Sequence, residues 1–179
     1  MKILFFAVVA INLVFASLPA QAEWQPNTND KLELSVAKAI ITAKQKDPAL
    51  TRWFDTAYAY AVYPSVGKGG IGVGGAHGKG LVIRGDSTLG TTSLSQISIG
   101  LQLGGQVYAE FIMFKDKTAF EDFSRGNYEM GDQASAVAVT AGASADAAYN
   151  GGVAIFTFAE GGLMFEASVA GQKFKYKAR

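Results

Sequence analysis

The chain has no cysteine and a single histidine, His77, among its 179 residues. Without thiols, and with one imidazole and no clustered carboxylates, it has little from which to build a disulfide framework, a transition-metal centre or a histidine-based triad. It also lacks an excess of charge of either sign, since 16 Lys and Arg face 15 Asp and Glu. That balance excludes a general nucleic-acid binder, which depends on a strongly basic surface. Any anion recognition has to come from local patches. Nor is there a long apolar run: the longest, Ile3 to Phe15, is too short and wrongly flanked for a membrane span.

That run, preceded by Lys2 and followed by Leu18-Pro19-Ala20-Gln21-Ala22, reads as a secretory signal peptide over residues 1–22. An uncleaved anchor is the alternative, and no cysteine follows to carry a lipoprotein anchor. Residues 23–29 then form a polar leader containing Pro26, and 30–179 a single domain. Removing Lys2 leaves 15 basic against 15 acidic residues. The exported protein is formally neutral and is stabilised by apolar burial, which a chain that is 49% hydrophobic can supply.

Asn29 or Asp30 is placed to cap a helix through Lys46, where Leu32, Val36, Ile40 and Ala43 recur at helical spacing and Asp47-Pro48 stops it. Lys31, Lys38 and Lys46 share a polar strip with Ser35 and Thr42. This helix packs on a core with its lysines solvated, or else lies at a lipid interface. A second helix is expected from Ala49 to about Ala61. Farther on the period changes to two. Gln96 to Leu103 predicts a half-buried strand with Ile97, Ile99, Leu101 and Leu103 on its inner face, and Gly104-Gly105 permits a bend. Gln106 to Phe114 is apolar on both faces except for Glu110, so it belongs in the middle of a sheet or beneath a helix. Asp116 caps a short helix bearing Phe120 and Phe123, closed by Gly126. Strands are expected at Ala134 to Ala141, Val153 to Phe158 and Leu163 to Ala170, the last two joined through Ala159-Glu160-Gly161-Gly162 as a hairpin. At the C-terminus Lys173, Lys175, Lys177 and Arg179 alternate with Phe174, Tyr176 and Ala178, which puts four cations on one strand face. They form a charge-protected edge or frayed tail, or else an anion-binding patch.

The stretch Tyr63 to Arg84 holds eight of the 21 glycines. Gly70-Ile71-Gly72-Val73-Gly74-Gly75 fits G-x-G-x-x-G, but Ala76-His77-Gly78-Lys79-Gly80 is too poor a helix former to open a dinucleotide site. No Walker A match exists, so no nucleotide is expected. Ser65-Val66-Gly67-Lys68 fits S-x-x-K, yet the S-D-N and K-T-G elements that would accompany it are missing. His77 reads as a loop histidine. The stretch reads best as strands: one glycine-only side lies close against a helix, a strand or a lipid chain, and Gly78 and Gly80 turn the chain into Leu81 to Arg84. The ends of that hairpin carry Lys68, Lys79 and Arg84.

In this order, the segments resemble the SYLF domain family, also called Ysc84-like, from roughly Asp30 to the C-terminus. The resemblance is carried by Ala61-Val62-Tyr63-Pro64-Ser65, Lys68-Gly69-Gly70-Ile71-Gly72-Val73 and Gly78-Lys79-Gly80-Leu81-Val82. Further pieces are Ser98 to Gln106, the Ala119-Phe120 to Phe123 helix, and Gly162-Leu163-Met164 leading to Ser168-Val169-Ala170-Gly171. It implies an α+β domain that binds phospholipid, with actin as a partner of some eukaryotic members. Those members often carry a tryptophan within the segment matching 85–93, an arginine where this chain has Gly161 and a glycine where it has Glu166; the departures weaken a carry-over of phosphoinositide specificity, and export argues against actin. The expected fold is a strongly bent antiparallel sheet or partial barrel of about six to eight strands, with two N-terminal helices and one short inserted helix. The expected function is non-enzymatic phospholipid binding in the bacterial cell envelope, periplasmic or outer-membrane associated, with no cofactor, metal or nucleic acid. Lys68, Lys79 and Arg84, then Lys31 and Lys38, would meet anionic headgroups. The alternative is a structural envelope protein that recruits another chain through an exposed strand edge.

Overall fold

The computed structural model describes residues 23–100, 105–126, 128–131, 134–161 and 169–179. The signal segment 1–22, the last three residues of the expected strand Gln96–Leu103 and most of the expected strand Leu163–Ala170 lie outside them. Helix α1 is Lys31–Lys46; the Asp30 side chain accepts from the Leu32 and Glu33 amides, and the chain leaves the helix at an extended Asp47 before Pro48. The second helix is shorter than its spacing predicts. α2 is Leu50–Thr56, and Tyr60 and Ala61 already belong to a strand. The Tyr58 amide donates to the Phe114 carbonyl at 2.9 Å, so sheet pairing captures a run of tyrosine, alanine and valine that suits a pleated surface.

Strand β1, Ala59–Arg84, has 26 residues. Drawn straight it would extend roughly 85 Å, far beyond a domain of this size. Its first half pairs with β3 (Gly105–Phe114), in the register Ala59↔Phe114 to Gly69↔Gly105. Its second half pairs with β2 (Ser87–Gly100), from Gly72↔Gly100 to Arg84↔Ser87. The two halves approach each other closely: a Cβ on Gly80 would stand 2.3 Å from the Val62 carbonyl oxygen and 2.8 Å from the Tyr63 ring, and one on Gly78 would stand 2.8 Å from Val66. The expected hairpin turn within this stretch is absent: β1 runs unbroken from Ala59 to Arg84, and the chain turns only at Gly85-Asp86 into β2. Gly78 and Gly80 do not form the expected turn. They are sites where one half of the strand crowds the other.

The remaining elements are α3 (Lys117–Ser124), β4 (Tyr128–Glu129), β5 (Ala136–Ala138), β6 (Val153–Gly161) and β7 (Lys173–Ala178). The sheet order is β4-β7-β2-β1-β3-β6-β5, and this mixed sheet forms a strongly curled half-barrel. One pairing departs from the antiparallel expectation. β5 runs parallel to β6, and residues 139–152 supply the long connection such a pair needs. β5 is shorter than the expected strand Ala134–Ala141, and Ala159 to Gly161 continue β6 where a turn was expected. α1 and α2 cover one face, over Tyr60, Val62, Leu81, Ile83, Phe111 and Phe156. The other face holds a second core of Tyr63, Val66, Leu94, Tyr108, Ile112 and Phe114, beneath Phe123 of α3 and Phe174 of β7.

β2 is oriented opposite to expectation at Gln96: Gln96 is buried and its Nε2 donates to the Ala170 carbonyl at 2.8 Å, while Ile97 is 81% exposed. Thr92 and Leu94 point into the second core, and with a period of two Gln96 must follow them. The C-terminus is pinned, because Arg179 pairs with Asp30 at 2.9 Å and with the buried Glu33. Glu110, the one charge in β3, lies fully buried in the second core, where Gln172 Nε2 donates to its Oε2 at 2.9 Å and lies 3.3 Å from the Tyr108 hydroxyl. The Oε1 atoms of Glu110 and Gln172 are buried and have no hydrogen-bond partner. Burial pushes the Glu110 carboxyl up to about 7, partly opposed by the Gln172 bond. A proton on Glu110 supplies the donor that this pair lacks.

Two outcomes follow for stability. Gly80→Ala should cost about 3 kcal/mol in chemical denaturation, because the Val62 backbone it would meet is held in the ladder with β3, whereas Gly67→Ala, with open space around its Cβ, should stay within about 1 kcal/mol. The proton on Glu110 is held more tightly folded than unfolded. Its stabilisation is therefore complete below about pH 4.5 and is lost as pH rises through about 7, a fall of about 3 kcal/mol that Glu110→Gln should remove from the pH profile of unfolding.

Candidate functional site

α1 lies across the helix-covered face with Val36, Ala39, Ile40 and Ala43 buried beneath it. A helix on a curled sheet cannot follow its curvature on both flanks, and a groove opens on each side of this one. The larger, about 900 Å³, lies between α1, α2 and the segment before α1. Its apolar lining includes Trp24, Ile40, Ile41, Phe54 and Tyr60, and Arg84 contributes a cation. Trp24 is 7% exposed and its indole N–H donates to Thr88 Oγ1 at 2.9 Å, so the leader packs against the domain as a wall of the groove. Glu23 reaches Lys44 at 3.2 Å on the same side. The Arg84 guanidinium stacks on the Tyr58 ring, 4.2 Å from its centroid, and makes no ion pair among the described residues.

The second groove, about 560 Å³, lies between the other flank of α1 and β1. Ser35, Lys38 and Thr42 project from the helix, and His77 and Lys79 face them from the second half of β1. Ser65 and Gly67 form part of the floor, and Phe158 of β6 closes one end. No carboxylate lines this groove.

The five cations expected to meet a headgroup are thereby distributed. Lys38 and Lys79 share the second groove, Arg84 lines the first, and Lys68 and Lys31 line neither. Lys68 is separated from Lys79 by strand alternation, because Val66 two residues earlier points into the second core while Leu81 two residues after Lys79 points into the first. The same alternation parts Ser65 from Lys68, and the S-x-x-K pair is not assembled. The G-x-G-x-x-G residues lie within β1 and open no helix. His77 is on a strand and not in a loop. Trp24 and Phe158 were not legible as groove residues. Trp24 is the one bulky apolar residue in an otherwise polar leader, which was the available signal. Among the described residues no cluster of His, Asp or Glu could hold a metal ion, and no helix is long and apolar enough to cross a membrane.

Comparison with known proteins places this architecture. Residues 95–178 match the family described as Ysc84, Las17-binding protein actin regulator. The match begins in β2 and ends in β7, so α1 and β1 fall outside it. The chain is also 32% identical over 138 residues to Beta cell expansion factor A of Aeromonas veronii, in an alignment that covers 76% of this chain and 52% of that protein. It thus spans about half the length of that curated relative.

Proposed function

Because the chain belongs to the Ysc84 (SYLF) family, we propose that it is a non-enzymatic phospholipid-binding protein of the bacterial cell envelope, exported by its signal peptide. The observation that carries this reading is the larger groove: about 900 Å³, lined by Trp24, Ile40, Ile41, Phe54 and Tyr60, with Arg84 exposed and unpaired among the described residues. An acyl chain laid along the aromatic wall replaces water over apolar surface at roughly 25 cal/mol per Å². Arg84 then meets the phosphate, held in position by the Tyr58 ring beneath it. Ile41, 56% exposed beside the groove, extends apolar surface toward a bilayer.

A second reading, recruitment of another envelope protein, draws support from β7. β4 pairs only with its Lys173 and Phe174, which leaves the outer edge of Lys175 to Ala178 without a strand neighbour among the described residues.

The chain has two tryptophans, and Trp53→Phe leaves Trp24 as the only indole. Anionic phospholipid carrying bromine on its acyl chains should quench Trp24 emission in that variant, and Arg84→Gln should weaken the effect by about fivefold. If the protein co-sediments with these vesicles while Trp24 emission stays unchanged, the acyl chain is not in this groove. Absence of co-sedimentation at low salt would overturn lipid binding itself.

A further inference from the structure

We propose that the second groove, where Lys38 and Thr42 of α1 face Lys79 and His77 of β1, is a separate site for a phosphoryl group, either that of a lipid headgroup or that of a free phosphate ester. The two lysines come from different elements and are exposed, and neither makes an ion pair among the described residues. Across a chain with 16 basic and 15 acidic residues, a groove with two lysines and no lining carboxylate is a local departure from balance. Like charges facing one another across a groove repel until an anion lies between them. Lys46 adds a third cation nearby, its ammonium 4.3 Å from the centroid of the Phe158 ring that closes the groove.

The polar groups around the lysines suit an oxyanion better than an apolar ligand. Thr42, Ser65 and His77 can each donate to phosphate oxygens or to hydroxyls of the group that carries them. Ser35 is partly committed, because its hydroxyl donates to the Lys31 carbonyl at 2.9 Å. The floor leaves room for the ligand: a Cβ on Gly67 would meet nothing within 4 Å, so the space over the strand there is open. α1 separates this site from the acyl groove. No residue lines both.

His77 is the chain's only histidine and gives a single imidazole signal in NMR spectra. Glycerol 3-phosphate added to the purified protein should shift that signal saturably, while sodium chloride at matched ionic strength should not. The double variant Lys38→Gln/Lys79→Gln, checked for an unchanged denaturation midpoint, should bind about tenfold more weakly or worse, yet keep Trp24 quenching by brominated lipid. Monomeric short-chain phosphatidylglycerol distinguishes the sources. Saturation at lower concentration than glycerol 3-phosphate assigns the site to a lipid headgroup, and equal saturation assigns it to the free ester. No saturable shift with either, an equal shift with chloride, or a shift retained in the double variant overturns the proposal. Loss of Trp24 quenching together with the shift would overturn the separateness of the two sites.

Discussion

The close approach of Gly80 to the Val62 carbonyl is the constraint from which the rest of the architecture follows. The 2.3 Å that a Cβ would leave is less than any side chain tolerates, so the two halves of β1 can approach this closely only where one has no side chain. β1 is the centre of the sheet, paired with β3 along its first half and with β2 along its second. Alternation along β1 then sorts residues between two cores. Val62, Leu81 and Ile83 go beneath the helices, while Tyr63 and Val66 face α3 and β7. Gly90 repeats the device on β2, where a Cβ would stand 2.4 Å from the Lys177 carbonyl and 2.7 Å from the Tyr176 ring. Close packing at such sites tightens the curl of the half-barrel, and the curl opens the grooves beside α1.

The parts of this structure that were legible in the sequence are those set by local chemistry. Asp30 and Asp116 cap the helices they were expected to cap, and Pro48 ends α1 after Lys46. The doubly apolar β3 is central and covered, as its composition requires. What could not be read locally was decided by partners distant in sequence. α2 is cut short because Phe114 recruits Tyr58 and the residues after it into the sheet. The inward face of β2 was misassigned because isoleucine at 97 and 99 outweighed glutamine in a hydrophobicity pattern. Period two instead ties Gln96 to Leu94, whose place is fixed by pairing with Phe174 of β7. Likewise a glycine-rich run permits either a turn or close packing, and only the partners of β1 decide that it is close packing.

The same alternation explains why candidate cations that neighbour one another in sequence do not act together. Lys68 and Lys79 lie on opposite faces, whereas Lys38 and Lys79, 41 positions apart, are brought across one groove by the docking of α1. Sequence proximity is therefore a poor guide to a binding patch on a strand. The face is what counts, and a bulge between Tyr63 and Val66 resets it once along β1.

The larger groove has one wall that is not part of the sheet or of a helix, and its stability bears on what the groove can do. The Glu23–Lys44 pair, with Glu23 75% exposed, contributes about 0.5 kcal/mol at most. The indole of Trp24 is a different matter: burying it contributes about 4 kcal/mol before ordering costs, and its N–H bond to Thr88 about 1 more. Fixing the backbone from Glu23 to Asn29 opposes this by about 1 kcal/mol or more per residue, which leaves the segment close to balance. A wall near balance opens locally at little cost. Any ligand that packed on the Trp24 ring would add apolar contact only in the docked state, so its binding and docking of the segment would stabilise each other.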